Sequence, residues 1–289
     1  MTPESVTLGQ AFLEQLRAQS YGGEVGLAIS TLEGEVLVCL NAERAFLSAS
    51  TIKVPLLLLA LERVQTGQLR LNERHTLKPA DRVGGAGILH ELGAGLELSL
   101  EDLLTLMIIV SDNTATNMVI DLLGVDAVNA WLFERGCRQT RLVGKLQLPP
   151  EQQNAAQLLG ERNRTSAAEQ AELLLGLWQG QRLEPPVRQL ALSILGRQHY
   201  RDILGRSLLR HAANSSRYQT YTKSGELLGV HHDVGLLLLP RPLCVALLSE
   251  GGSDRREHPE NQDTLVLSTT LFPLLAALGG LDQGISGDI

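Results

Sequence analysis

Residues 50–66 read STIKVPLLLLALERVQT, and at this run the chain changes character. Ahead of it, residues 24–30 and 35–40 are short β-prone runs parted by a turn at Leu32-Glu33-Gly34, a spacing that predicts a hairpin. From it to about residue 213 the sequence is leucine-rich and helix-length, at 51–66, 100–110, 114–123, 166–179 and 187–195, with helix-stop chemistry at Gly67, Gly124, Gly180 and Pro185-Pro186. β-character returns at 218–223, 233–239 and 243–249, with turns at 225–229 and 240–242. Helices are expected at both ends. Leu8, Phe12 and Leu16 recur every four residues near the start, and 265–278 is a final apolar segment that Pro273 would kink.

Two strands before a helical block and three after it join most simply into one five-stranded antiparallel sheet. The terminal helices then cover one face and the helical block lies beside it. This is an α+β fold in which residues 1–49 plus 214–289 form a sheet domain and 50–213 an inserted all-helical domain. The cleft between the two is the expected site.

Composition narrows the function classes. A chain of 289 residues, 44% hydrophobic and 20% charged, can bury a sizeable core and is neither collagen-like, coiled-coil nor wholly disordered. Net charge is −7 with the basic residues scattered, and 4 Phe, 4 Tyr and 2 Trp make no stacking platform, so nucleic acid is not an expected partner. The longest apolar runs, 54–61 and 234–239, fall well short of the roughly eighteen residues of a membrane span. The first twenty residues lack the basic start and apolar stretch of an export signal. As written the chain is expected in the cytoplasm, or in the periplasm or secreted if a leader was removed. Cys39, Cys137 and Cys244 are odd in number and widely spaced, so buried thiols are expected and no disulfide framework or zinc site. The adjacent pair His231-His232 would point to opposite faces of a strand, and neither a metal nor another cofactor is expected. Nothing in the sequence specifies an oligomeric state.

Lysine is rare: Lys53, Lys78, Lys145 and Lys223 stand against 21 arginines. Two of the four sit beside hydroxyls. In Ser50-Thr51-Ile52-Lys53 the i, i+3 spacing at the start of a helix puts serine and lysine on one face of the first turn, where the amine can act on the hydroxyl and the helix N-terminus favours an oxyanion. Lys223-Ser224-Gly225 ends a predicted strand, with a cation and a hydroxyl to hold an anionic group and a glycine to admit a substrate backbone. Ser111-Asp112-Asn113 falls at a helix break, where it could equally be a cap. An S-x-x-K alone is expected about once by chance in such a chain, but S-D-N only on the order of 0.04 times, and the three occur together in one order.

That set, S-x-x-K then S-D-N then K-S-G, resembles the class A β-lactamase and penicillin-binding protein superfamily. The likeness extends to Ala49-Ser50-Thr51-Ile52-Lys53-Val54 and to Ser111-Asp112-Asn113-Thr114-Ala115-Thr116-Asn117, and the flanking strands fit the same architecture. The resemblance implies that Ser50 is the acylated nucleophile and Lys53 a candidate base. Ser111 would relay a proton to the leaving nitrogen, and Asn113 would bind Lys53 or the substrate's amide side chain. Lys223 and Ser224 of the K-S-G triplet, which Gly225 completes, would hold the substrate carboxylate, and the backbone N–H groups of Ser50 and Glu226 would form the oxyanion hole. An amine crowded by a second cation or buried can lose its proton, which a guanidinium cannot, so lysine is the residue this chemistry needs at position 53.

One part of the family pattern is missing. Class A β-lactamases carry R-x-E-x-x-L-N in an omega loop, where the glutamate activates the water that releases the acyl group. Counted from Thr140-Arg141-Leu142, the place of that glutamate falls near Leu146, and only Glu151 and Glu161 offer carboxylates in the same loop. Additional cationic contacts to a carboxylate are sought at His232, Arg255 and Arg256. The expectation is a serine hydrolase acting through an acyl-enzyme on a small molecule, a β-lactam or a peptidoglycan-like or related amide or ester. A penicillin-binding module that acylates without efficient turnover, and a peptidase or esterase for a non-lactam substrate, are the alternatives.

Overall fold

The computed structural model describes residues 2–211, 218–256, 258 and 260–281, so the expected domain boundary at 213/214 lies outside the described residues. Helix α1 (Pro3–Ala18) leads into β1 (Glu24–Thr31) and β2 (Val36–Leu40), the hairpin that the early β-runs predict. Thr2 caps α1 and Pro3 opens it, the two residue types best suited to those positions. A two-residue strand β3 (Phe46–Leu47) and a 3-10 turn (Ala49–Ile52) precede α2 (Lys53–Gln65). The central block continues with β4 (Arg74–Thr76), β5 (Glu97–Ser99), α3 (Leu100–Ile109), α4 (Asn113–Leu123), α5 (Val125–Glu134), α6 (Ala155–Leu158), β6 (Arg164–Thr165), α7 (Ala167–Gln179), α8 (Pro185–Gly196) and α9 (Arg206–His211). Strands β7 (Gln219–Leu227), β8 (Val230–Leu238) and β9 (Leu243–Glu250) follow, and α10 (Gln262–Gly279) runs through Pro273 as one helix.

All neighbours in the main sheet are antiparallel, in the order β2-β1-β9-β8-β7. The two-residue period of a strand sorts its side chains into two cores. From β9, Val245 and Leu247 join Phe12 and Leu16 of α1 and Leu267 and Leu271 of α10, whereas Ala246 and Leu248 face the helical block. There α2 is apolar on all sides, and Val54 to Leu61 are buried throughout, as a helix without a polar face must be. Each fully buried leucine contributes roughly 1.5–3 kcal/mol, so this one helix anchors the block.

Four features differ from the sequence reading. Helix α5 follows α4 with only Gly124 between them; at φ 79° this glycine ends one helix and starts the next, so the stop signal conceals a restart. The central block also contains short pairings, β3 with β6 and β4 with β5, too brief to leave a two-residue pattern. Lys223-Ser224-Gly225 does not end its strand, because β7 continues to Leu227 and the chain reverses at Leu228-Gly229, where Gly229 takes φ 71°. Ser50 lies not at an α-helix start but in the preceding 3-10 turn, and α2 begins at Lys53 itself.

Candidate active site

Lys53 is fully buried, and its amine is surrounded by oxygen. Its Nζ lies 2.9 Å from Ser50 Oγ, 2.8 Å from the Ser111 carbonyl, 3.0 Å from Ser111 Oγ and 2.9 Å from Asn113 Oδ1. Two of these are carbonyl oxygens that can only accept, and they take the two N–H groups of a neutral amine. The lone pair is then left for a hydroxyl, which places it where the Ser50 proton can be received. Burial, followed by the nearby Lys223 cation, holds the Lys53 amine well below its usual range.

Three segments build this arrangement. The 3-10 turn carries Ser50 and α2 carries Lys53 one turn later, with Ala49 in the left-handed region at φ 43°. Ser111, at φ 54°, turns its carbonyl onto Lys53, and Asp112 fixes the motif by accepting from the backbone N–H groups of Ile88, Leu89 and Ala115 at 2.7–2.8 Å. Asp112 thus clamps loop 83–89 to the start of α4, a role that the S-D-N reading left as a simple cap.

The third segment is β7. A β-carbon on Gly225 would lie 3.2 Å from Ala49 Cβ, Ser50 N and Thr51 Cγ2, so glycine here lets the strand press against the Ser50 turn. Lys223 is fully buried, donates to the Ser224 carbonyl at 2.8 Å, and is pushed down to about 7 by that burial against the opposing pull of Asp233 and Glu226. Ser224 Oγ accepts from Gln198 Nε2 at 3.4 Å, a contact the sequence did not signal. Glu226 lies 2.5 Å from His231 Nδ1, and its carboxyl is raised chiefly by burial. Ser50, Lys53, Ser111 and Asn113 are thereby brought together, with Lys223, Ser224, Gly225 and Glu226 on the adjoining strand.

Of the three cations sought, His232 is not one. His232 is fully buried, with Nε2 2.6 Å from the Leu47 carbonyl and Nδ1 accepting from Ser249 N at 3.0 Å, which fixes a neutral tautomer; burial lowers it to about 4. Arg256 is engaged with Asp254 at 2.7 Å, and Arg255 is exposed on the same loop. Both loop carboxylates are exposed. Glu151 is exposed on a short 3-10 turn, and Glu161 is exposed and pairs with Arg141 at 3.2 Å.

Leu146 instead stands in a prepared position. Asn117 accepts from its N–H at 2.8 Å and donates to its carbonyl at 2.9 Å, while Lys145 turns outward to Asp121 at 2.6 Å. Farther along, Val143 and Gly144 donate to Asn163 Oδ1, and Glu169 accepts from the N–H groups of Arg138, Gln139 and Thr140. Cys137 and Cys244 are buried and Cys39 half-buried, all as free thiols. Among the described residues no group of three or more His, Cys, Asp or Glu is placed to hold a metal, and no helix is long and apolar enough to cross a membrane.

Comparison with known proteins finds β-lactamases and PBP-A. A family model described as the beta-lactamase enzyme family matches residues 10–270. A β-lactamase of Rhodobacter capsulatus is 30% identical over 171 residues, 59% of this chain, and the chain spans only 57% of that relative's length. Among solved structures, a β-lactamase from Sphaerobacter thermophilus DSM 20745 superposes with a TM-score of 0.81 at 31% identity, over 94% of this chain and 98% of the other. PBP-A gives 0.78 at 26% identity over 94% and 97%. A leucine-to-glutamate mutant of PBP-A, as an acyl-enzyme complex with penicillin-G, gives 0.77 at 26% over 96% and 100%.

Proposed function

The chain belongs to the beta-lactamase enzyme family, and from that premise we propose that it is a serine hydrolase forming an acyl-enzyme on Ser50 with a β-lactam or a related amide or ester. The observation that carries this reading is the buried Lys53 amine 2.9 Å from Ser50 Oγ, held by Ser111 and Asn113. In the proposed course, Lys53 accepts the Ser50 proton as Oγ attacks the carbonyl. The N–H groups of Ser50 and Glu226 stabilise the oxyanion, and Ser111 passes a proton to the leaving nitrogen. Lys223 and Ser224 hold the substrate's anionic group. Burial holds both amines below their usual range, Lys53 well below it and Lys223 at about 7, so a neutral Lys53 is accessible. The division into a sheet unit (1–49 with 214–289) and a helical unit (50–213), with the substrate entering between them, is part of the same proposal.

Turnover is a separate matter, and one observation favours slow release. Where the family places a glutamate to activate water, Asn117 holds Leu146, which cannot accept a proton. We therefore read the protein as acylating readily and deacylating poorly, in the manner of a penicillin-binding module. The PBP-A neighbour captured with penicillin-G supports a β-lactam as the acylating class. Intact-mass spectrometry after addition of benzylpenicillin tests the assignment. The parent is expected to gain one intact penicillin and Ser50→Ala none; an adduct on Ser50→Ala contradicts it. No adduct on the parent would direct attention to a peptidase or esterase with a non-lactam substrate.

A further inference from the structure

The helical block holds a second hollow, away from Ser50. Its volume is about 420 Å³, and it lies between the far half of α2, the end of α5, the middle of α7 and the loop that leads into α8. That size is in the range of small-molecule sites. Leu58 and Glu62 of α2 line it, and Glu62 stands roughly 13 Å along the helix axis from Lys53, so the hollow is separate from the Ser50 cleft. Its wall is apolar. Leu58, Trp131, Leu173 and Leu177 keep 4–7% of their surface here, whereas Leu57, Leu132 and Leu174 beside them are sealed to 0–1%.

The polar part of the lining is nearly self-contained. Glu62 accepts from Trp131 Nε1 at 2.7 Å and from Arg135 Nη2 at 2.6 Å, Arg135 Nη1 donates to the Trp131 carbonyl at 2.9 Å, and the guanidinium lies 3.7 Å from the centre of the Trp131 ring. One donor is left over. The Arg135 side chain is only 9% exposed, and among the described residues its Nε–H is the one buried side-chain polar group of this lining without a hydrogen-bond partner. Such a group costs stability until an acceptor reaches it.

The acceptor that fits is neutral. Glu62 already balances Arg135, and the exposed Glu33 and Glu172 against the exposed Arg182 leave the lining with an excess of negative charge. An anion is repelled, whereas a carbonyl oxygen satisfies the Nε–H without adding charge. We propose that this hollow is a second ligand site for a neutral, largely apolar small molecule, which offers one carbonyl oxygen to Arg135 Nε and covers Leu58, Leu173 and Leu177 with its hydrocarbon part. Gly176 of α7 keeps the site open, since a β-carbon there would meet the amide end of Gln181 at 3.3 Å.

The site does not depend on the acyl-enzyme reading, and its test uses no β-lactam. N,N-dimethylbenzamide, a neutral aryl carbonyl compound, is titrated into nitrogen-15-labelled protein while the two indole N–H resonances are followed by NMR. Trp178, which packs near Tyr221 and does not line the hollow, is the internal control. The Trp131 resonance is expected to move saturably with a dissociation constant on the order of 1 mM, the scale for so small a ligand, and Trp178 to stay in place. Benzoate, the charged counterpart, should bind about tenfold more weakly. Arg135→Lys keeps a cation for Glu62 but lacks the Nε donor, and should weaken the amide by about tenfold, the worth of one hydrogen bond. Gly176→Leu, at a helical position where leucine is favoured over glycine, should fill the hollow and abolish the shift. No saturable movement of Trp131 in the parent, movement that survives Gly176→Leu, or equal movement of Trp178 overturns the site. Benzoate binding as tightly as the amide overturns the ligand class, and unchanged affinity in Arg135→Lys overturns the part given to Nε.

Discussion

The surroundings of Lys53 and of Leu146 are built to the same standard and differ in chemistry. At Lys53 a buried amine is positioned by carbonyl oxygens from Ser111 and Asn113. At Leu146 a backbone position is fixed by two hydrogen bonds from Asn117, and the side chain placed there is a hydrocarbon. Firm positioning alone does not identify a catalytic group. What matters is whether the positioned atom can take a proton: a lysine amine can, and a leucine side chain cannot, which is the contrast on which the proposed function rests.

The largest expected effect removes the base from the first region. Lys53→Met should slow acylation by benzylpenicillin by about 10³-fold or more, the scale of a positioned general base, measured as the rate of adduct formation. A change below tenfold would mean another group takes the Ser50 proton. The reciprocal change supplies a base to the second region: Leu146→Glu should accelerate loss of the acyl group by about 10²-fold, measured by return of the free mass, with acylation little altered. Unchanged release would show that the place beside Asn117 is not where water is activated. Asn117→Ala, which frees Leu146 without touching Lys53, should lower stability by about 2 kcal/mol in denaturant unfolding. If it instead slowed acylation as severely as Lys53→Met, the two regions would not be separable.

The smallest effect is in pH. In the proposed course acylation needs Lys53 neutral and Lys223 charged, and the first condition is met as pH rises through the depressed Lys53 value. The second is lost above about 7, so the second-order acylation rate with a carboxylate-bearing substrate should fall by up to tenfold per pH unit beyond it. Lys223→Arg, whose guanidinium does not titrate there, should move that alkaline limb upward. A flat profile to pH 9 would remove Lys223 from substrate binding.

Much of this was legible from the sequence, for identifiable reasons. The five strands of the main sheet and the leucine-rich helices carry their periodicity in runs long enough to read, and the rarity of lysine drew attention to Lys53 and Lys223. The empty place at Leu146 could be counted from Thr140-Arg141-Leu142 before any coordinates. Three kinds of information could not. Short pairings such as β3 with β6 have no period, and Gly124 signals an end whether or not a helix restarts. His232 reads as a possible cation until its two ring nitrogens are seen paired with Leu47 and Ser249. The side-chain clamps of Asp112 and Asn117 and the contact of Gln198 with Ser224 depend on residues far apart in the chain, so composition and spacing are silent about them.

The central claim, that the Ser50 region acts and the Leu146 region does not, is tested most directly by following one acylated sample through time. The protein is treated with benzylpenicillin, free drug is removed, and intact mass is recorded for the parent and for Leu146→Glu side by side. A parent adduct that persists while the variant returns to its free mass is the predicted result. A parent that sheds its adduct as fast as the variant would contradict it.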